Sequence, residues 1–156
     1  MHKNNILTIG IIAVALALGS CNRSTVYSQY RHTQLAGWER NDTLTFAVAK
    51  TKEDVNLRAT LGLRVNDSFP FKALYLIVEK TVSPDNIVTC DTVNCQLFDE
   101  DGKSKGRGVS FYQYNFHFTN TKLLKGDSLT IKVRHNMKRE IMPGIADVGI
   151  TLEKAQ

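Results

Sequence analysis

Serine and histidine side chains are the candidates for nucleophilic catalysis in this sequence. Ser110 lies in the segment GRGVSFY, which lacks the Gly-x-Ser-x-Gly spacing that a strained nucleophile elbow requires. His117 follows an aromatic run, and His135 falls on the apolar side of an alternating segment, where a histidine usually completes a core. These residues do not make a set of nucleophile, base and charge stabiliser. We therefore predict no catalytic residues and no enzymatic activity, and we identify no small-molecule substrate.

The acidic segment DEDGKSKG is a candidate for a metal-binding or phosphate-binding site. A twelve-residue calcium loop starting at Asp99 would need oxygen ligands where the sequence has Lys103, and a bidentate carboxylate where it has Ser110. Its glycines and lysines also do not match the Gly-x-x-x-x-Gly-Lys-Ser/Thr phosphate loop. The segment instead predicts a hairpin turn at Asp101-Gly102, and we expect no metal and no cofactor.

Cys90 and Cys95 stand five residues apart in CDTVNC. Without nearby histidines they make a poor zinc site. A disulfide between them would suit an oxidising compartment. In an uninterrupted strand, however, an odd separation points the two side chains to opposite faces, so the bond requires a turn or bulge. A disulfide and two free thiols remain open alternatives.

Cys21 ends an apolar stretch that we interpret as a secretory signal peptide, residues 1–20. Its apolar region, Ile6 to Leu18, would rise about 20 Å as a helix, which is less than the hydrocarbon core of about 30 Å. The tetrapeptide LGSC is similar to the bacterial lipoprotein box, in which the cysteine is lipidated and becomes the first mature residue. We predict a protein anchored to a membrane through lipid on Cys21, with its polypeptide outside the cytoplasm.

The rest of the chain alternates between apolar and polar residues with the period of β-strands. In VNLRATLGLRV, the residues Val55 to Val65 alternate in this way over eleven positions. The segment ALYLIVE is apolar at both parities, which predicts a central strand covered on both sides. Some seven to eight strands with frequent turn signals predict an antiparallel β-sandwich over residues 33–156 as a single domain, with residues 21–32 as the lipidated N-terminus and a tether.

The net charge and the residues after Cys21 indicate which partners and which cellular location to expect. The formal net charge is +5. The basic residues are scattered, so we predict no nucleic-acid partner. Asn22 is not the aspartate that retains enterobacterial lipoproteins in the inner membrane, and NRSTVYS has no acidic run of the kind associated with surface export. Both observations favour the periplasmic face of the outer membrane.

The aromatic stretch SFYQYNFHF either fills the core or forms a recognition surface. We take core filling as the default and keep a surface made of Trp38, Tyr112, Tyr114 and Asp147, the last predicted to point outward, as the alternative. Such a surface could bind envelope proteins. A glycan-binding module that uses Tyr112, Tyr114 and Trp38 is the rival hypothesis.

Four segments of the mature chain, together with the lipoprotein box, carry a resemblance to a known family. They are GWERNDTLTF (37–46), LGLRVNDSFPFKALYLIVE (61–79), LFDEDGKSKGRG (97–108) and HNMKREIMPGIADVGITLE (135–153). The chain resembles the GldH gliding-motility lipoproteins of Bacteroidota, most specifically in MPGIADVG. The resemblance implies a small envelope lipoprotein associated with the gliding machinery, with no known catalytic activity or cofactor. It offers no catalytic residues and does not include the Cys90 and Cys95 pair.

Overall fold

The computed structural model describes residues 24–155 as a protein built from β-strands. The predicted signal peptide, residues 1–20, and the predicted lipidation site Cys21 lie outside the described residues. Within the described part, no helix is long and apolar enough to cross a membrane. The strands are β1 (Thr25–His32), β2 (Trp38–Glu39), β3 (Leu44–Val48), β4 (Val55–Asn66), β5 (Ala73–Ser83), β6 (Ile87–Gln96), β7 (Arg107–Gly108), β8 (Phe111–Leu123), β9 (Ser128–His135), β10 (Ile141–Met142) and β11 (Ile145–Lys154).

The strands form an antiparallel β-sandwich, which confirms the predicted fold class. One sheet has the order β1-β11-β4-β8-β7, the facing sheet has the order β3-β9-β5-β6, and β2 pairs with β10 in a short ribbon. Three of the strands described here have only two residues, so the longer ones number eight. All pairings are antiparallel, as expected for a chain whose turns follow one another at short intervals.

The core lies between the two sheets and is built from the alternating apolar positions. In β4, Leu57 to Val65 are buried at every second residue, as the alternation predicts. Each fully buried Leu or Ile side chain contributes about 1.5–3 kcal/mol. β5 is central in its sheet, but it is not covered on both sides, because Tyr75 is 42% exposed while Leu74 and Leu76 are fully buried.

The predicted tether needs correction, because β1 occupies most of it. Residues Tyr27 to His32 pair with Leu152 to Asp147 of β11, so the folded domain begins before residue 33. Most β1 side chains are exposed, since β1 is an edge strand that only β11 flanks. An exposed edge strand can be as polar as an unstructured tether. The alternation of apolar and polar residues therefore did not reveal β1.

The sandwich has two different ends. The chain enters the described structure at Ser24 at one end, here called the proximal end, together with the turns 49–54, 84–86 and 124–127 and the end of β11. At the opposite end, here called the distal end, lie the connections 33–43, 67–72, 97–110 and 136–144. Because the eight longer strands run between the two ends, segments far apart in sequence meet at the distal end.

Candidate interaction surface

The segment MPGIADVG lies at the distal end, and its first glycine is required by close packing. Gly144 has φ of +82°, and a Cβ at that position would lie 2.8 Å from the Cα of Phe69. The backbone N–H of Asn66 donates a hydrogen bond of 2.8 Å to the Gly144 carbonyl. The Pro143-Gly144 turn therefore joins the β10–β11 connection to the β4–β5 connection, where a side chain would not fit.

Trp38 belongs to the core beneath the distal end and not to a surface. It is fully buried, its Nε1–H donates to the Asp42 carbonyl at 2.9 Å, and its ring meets the His135 ring edge-on at 5.4 Å between centroids. The short ribbon of β2 and β10 pairs Trp38 with Met142, which closes over it. The prediction of Trp38 as an interaction residue is wrong, because the indole fills the end of the sandwich.

His135 is a structural histidine. Its Nε2 lies 3.0 Å from the Trp38 carbonyl, and its Nδ1 lies 3.4 Å from the Met137 backbone nitrogen. The neutral tautomer satisfies both contacts, with Nε2–H donating and Nδ1 accepting. Burial lowers the pKa of His135 below its usual value, which favours this neutral form. Both ring nitrogens are thus used to hold the backbone.

Asp147 anchors a charged cluster on the outer face of the five-stranded sheet. It points away from the core, as its parity predicts, but it is only 3% exposed, so its prediction as a surface residue is wrong. Arg64 Nη1 donates to Asp147 Oδ2 at 3.0 Å, and His32 Nδ1 contacts the other carboxylate oxygen. The Arg64 guanidinium also lies 5.1 Å from the centre of the Phe111 ring. Neighbouring strands on both sides of β11 therefore cover the carboxylate.

Tyr30 extends this cluster across the sheet. Its ring lies over Gly149 of β11, and its hydroxyl reaches over Gly62 of β4; these two glycines are directly paired. Gln113 of β8 donates a hydrogen bond of 2.8 Å to the Tyr30 hydroxyl. The two glycines leave a shallow channel in which one aromatic side chain bridges four strands.

The tyrosines of the aromatic stretch fill the core, which was the default interpretation. Tyr114 is 4% exposed, stacks on Phe116 at 6.3 Å between centroids and hydrogen-bonds Ser104 Oγ at 2.7 Å. Burial raises the pKa of Tyr114. Tyr112 is half-buried against the same core. The surface alternative is therefore wrong for Tyr114, and the glycan-binding hypothesis loses two of its three aromatic residues, Trp38 and Tyr114.

The apolar side chains that the distal end does expose are different from those predicted. Leu35 is fully exposed and Val109 is 87% exposed, each on a connection between strands. Partly exposed rings and one isoleucine surround the same end, so that the set comprises Leu35, Phe71, Tyr75, Val109, Phe111 and Ile141. The two most exposed of these, Leu35 and Val109, lie on connections, where exposed apolar side chains are candidates for binding another protein.

The two cysteines are free and do not form the candidate disulfide. They lie in the uninterrupted strand β6, where Cys90 pairs with Glu79 and Cys95 with Leu74. No turn or bulge separates them, so Cys90 is exposed and Cys95 is fully buried on the opposite face. Burial raises the pKa of the Cys95 thiol to about 12.

The remaining chemical candidates have structural roles. His117 Nδ1 lies 3.1 Å from the Ala59 carbonyl. Asp99 closes the predicted turn by accepting the Lys103 backbone N–H at 2.8 Å, and Gly102 has φ of +80°. Within residues 24–155, no group of three or more histidine, cysteine or acidic residues is placed to hold a metal ion.

Sequence reasoning missed the outer-face cluster of Tyr30, His32, Arg64, Phe111 and Gln113. These residues come from three strands, and no spacing within one segment brings them together. The one local signal is the pair of glycines inside strands, Gly62 and Gly149, because glycine in a strand interior often marks a close approach of another group.

The comparisons with known proteins agree with the resemblance described above. The model of the GldH lipoprotein family matches residues 25–152. The protein described as "Gliding motility lipoprotein GldH" from Flavobacterium johnsoniae is 27% identical over 151 residues, which cover 92% of this chain and 94% of that protein.

Solved structures are only distantly similar to this chain. An aminopeptidase from a Thaumarchaeota archaeon is 13% identical with a TM-score of 0.35 over 74% of this chain and 24% of its own, so this chain spans about a quarter of it. The Cry4Aa toxin of Bacillus thuringiensis is 7% identical (TM-score 0.46, 83% of this chain, 21% of the toxin). A family 35 carbohydrate-binding module from Cellvibrio japonicus is 10% identical (TM-score 0.38, 83% and 99%). Similarity at this level does not indicate a shared function.

The family model spans the sandwich from the first residue of β1 to Leu152, the last buried residue of β11. It includes the distal connections and the strands that carry the outer-face cluster. This protein therefore belongs to the GldH lipoprotein family.

Proposed function

We propose that this protein is a non-enzymatic, lipid-anchored component of the cell envelope that binds a protein partner through its distal end. Lipid on Cys21 holds it at the periplasmic face of the outer membrane. The machinery it serves is gliding motility, as the name of the Flavobacterium relative indicates, or a related envelope system. The observation that carries the proposal is the set of exposed apolar side chains at the end of the sandwich opposite the entry of the chain at Ser24.

The placement of this surface suits a tethered binding protein. Ser24 lies three residues after Cys21, so the proximal end stays close to the anchor. The distal end is then held away from the membrane and towards other envelope proteins. Leu35 and Val109 project from connections, where a partner can reach them without disturbing the sheets.

The histidines support a non-enzymatic role. His135 and His117 both contact backbone carbonyls, at 3.0 Å and 3.1 Å. Both ring nitrogens of His135 are occupied, so neither is free to act as a general base. The contact of His117 holds β8 to β4. The buried Asp147 is likewise engaged by Arg64 and His32.

Site-specific photocross-linking in intact cells tests the proposal. A photoreactive residue replaces Leu35 or Val109 at the distal end, or Thr92 on the exposed side of β6 as the matched control. We expect both distal positions to capture the same envelope protein, identified by mass spectrometry, and Thr92 to capture little of it. Equal capture at Thr92, or no protein adduct at either distal position, would contradict the proposal.

Charged substitutions test the same surface by loss of binding. Leu35→Asp and Val109→Asp change side chains that are almost fully exposed, so folding should be unaffected. We expect the double variant to recover at least tenfold less of the partner in detergent, with an unchanged urea midpoint. Full recovery of the partner would count against the distal end as the binding surface.

A further inference from the structure

A cleft opens at the proximal end between the two edge strands β1 and β3. Its volume is about 670 Å³, and it also borders the turn 49–54 and the end of β11. Its walls are mainly apolar, with Val26 and Tyr27 on one side and Val48 and Val55 on the other. β1 and β3 are the unpaired edges of facing sheets, so the cleft is the open side of the sandwich.

The rim of the cleft is cationic. Lys50, Lys52 and Lys154 line it together with a single acid, Glu53. Lys154 Nζ lies 2.6 Å from Glu53 Oε1, so this pair is neutralised. Lys50 and Lys52 are exposed and enter no ion pair within residues 24–155. The rim therefore offers two unpaired ammonium groups beside an apolar wall.

Two further acidic residues of this end, Asp54 and Asp127, are used within its turns. Asp54 accepts the Lys125 backbone N–H at 2.8 Å, and Asp127 accepts the Leu124 backbone N–H at 2.9 Å. These bonds hold Leu124, which is 52% exposed, at the tip of the turn 124–127. The proximal end thus presents both apolar and cationic groups.

The position of the end indicates what fills the cleft. Ser24 is three positions after Cys21, a stretch that spans at most about 11 Å when fully extended. If Cys21 carries lipid, the cleft lies at the surface of the bilayer that holds the anchor. Phospholipids offer both complementary parts, an acyl chain for the apolar walls and a phosphate for Lys50 and Lys52.

We infer that the cleft between β1 and β3 binds an anionic phospholipid of the anchoring membrane, with its phosphate at Lys50 and Lys52 and an acyl chain against Val26, Tyr27 and Val48. This inference rests on the proposed function, since lipid on Cys21 brings the cleft to the membrane. It gives the lysine-bearing turn 49–54 a role in orienting the domain, so that the distal end faces away from the bilayer.

Photoactivatable lipids test the inference with the mature, lipidated protein in nanodiscs. Phosphatidylglycerol with a photoreactive acyl chain should label peptides that contain residues 26–29 or 47–55, and the equivalent phosphatidylcholine should label them weakly. Lys50→Glu with Lys52→Glu should lower this labelling about tenfold. The control pair Lys103→Glu and Lys105→Glu has the same spacing at the distal end and should leave it unchanged.

The outcomes separate this inference from the proposed function. The intact mass of the mature protein first establishes whether Cys21 carries lipid; its absence overturns both the anchoring and this inference. With lipid present, equal labelling by the two phospholipids, labelling unaffected by the Lys50 and Lys52 changes, or occupation of the cleft by a cross-linked protein would each overturn the inference alone.

Discussion

The ring of Tyr30 lies directly against the backbone of Gly149, so closely that an added Cβ on Gly149 would come 2.5 Å from ring atom Cε1. Tyr30 is on the edge strand β1, and Gly149 is on its neighbour β11, to which it is paired. The Tyr30 ring fills the space that a side chain at position 149 would otherwise occupy. It joins the segment that enters from the predicted anchor to the segment MPGIADVG.

Gly149→Ala should destabilise the protein by about 1–2 kcal/mol, because the methyl group displaces the Tyr30 ring and breaks its hydrogen bond to Gln113. Urea unfolding measures the change.

The effect of Gly149→Ala on the free energy of unfolding should change sign when Tyr30 is absent. In a Tyr30→Ala protein, Gly149→Ala meets no ring, and it should stabilise the strand by about 0.5–1 kcal/mol, because alanine loses less backbone entropy than glycine. A double-mutant cycle with the same loss in both backgrounds would show that Tyr30 and Gly149 are not coupled.

Asp147→Asn should lower the free energy of unfolding by about 1–3 kcal/mol. The carboxylate is buried and accepts a charged hydrogen bond from Arg64, whereas the amide leaves the guanidinium without its counter-ion. The matched control is Glu140→Gln, because Glu140 is 3.4 Å from Arg40 in a solvent-exposed pair. The control should cost less than about 1 kcal/mol. Equal losses of unfolding free energy in the two variants would mean that burial of Asp147 does not strengthen its ion pair with Arg64.

The alternation of apolar residues was sufficient to predict the sandwich, because burial of one strand face is a local pattern with a period of two. Leu57 to Val65 and Leu129 to His135 are buried where the pattern places them. Alternation does not reveal an exposed edge strand, since both of its faces can be polar. That is why β1 was interpreted as a tether.

The outer-face cluster could not be predicted for a different reason. Parity correctly put Asp147 on the side opposite Val148, but burial on that side depends on which strands flank β11. Only the sheet order places His32 and Arg64 beside Asp147. Trp38 was predicted to be on a surface for the same reason. The β2–β10 ribbon that packs over it is formed by segments about one hundred residues apart.

His135 should make stability depend on pH as the pH falls through the unfolded-state pKa of about 6.5. Its pKa in the folded protein is lowered by burial, so the unfolded chain binds the proton first as pH falls. Stability from this residue is therefore present above the unfolded pKa of about 6.5 and is lost below it, with a slope of at most about 1.4 kcal/mol per pH unit. Fluorescence of Trp38, which contacts His135, reports the urea transition at each pH.

His135→Phe provides the comparison for this pH dependence. The variant loses two hydrogen bonds, which lowers stability by about 1–3 kcal/mol above the unfolded pKa of histidine. This difference should shrink as pH falls, because only the protein with His135 then loses stability through that residue. His32 and His117 remain in both proteins, so the difference between the two pH profiles isolates His135. Parallel profiles would show that His135 does not titrate differently on folding.

The two cysteines should react with a thiol reagent at very different rates in the folded protein. Cys90 is exposed on β6 and should be modified within minutes, while Cys95 is fully buried with a pKa of about 12 and should react only when the sheet opens. Cys90→Ser should remove the fast reaction and Cys95→Ser the slow one. If no thiol reacts until a reductant is added, the cysteines are bonded after all. Since Cys95 packs in the core while Cys90 faces solvent five residues away, the slow rate also measures how often β6 separates from β5.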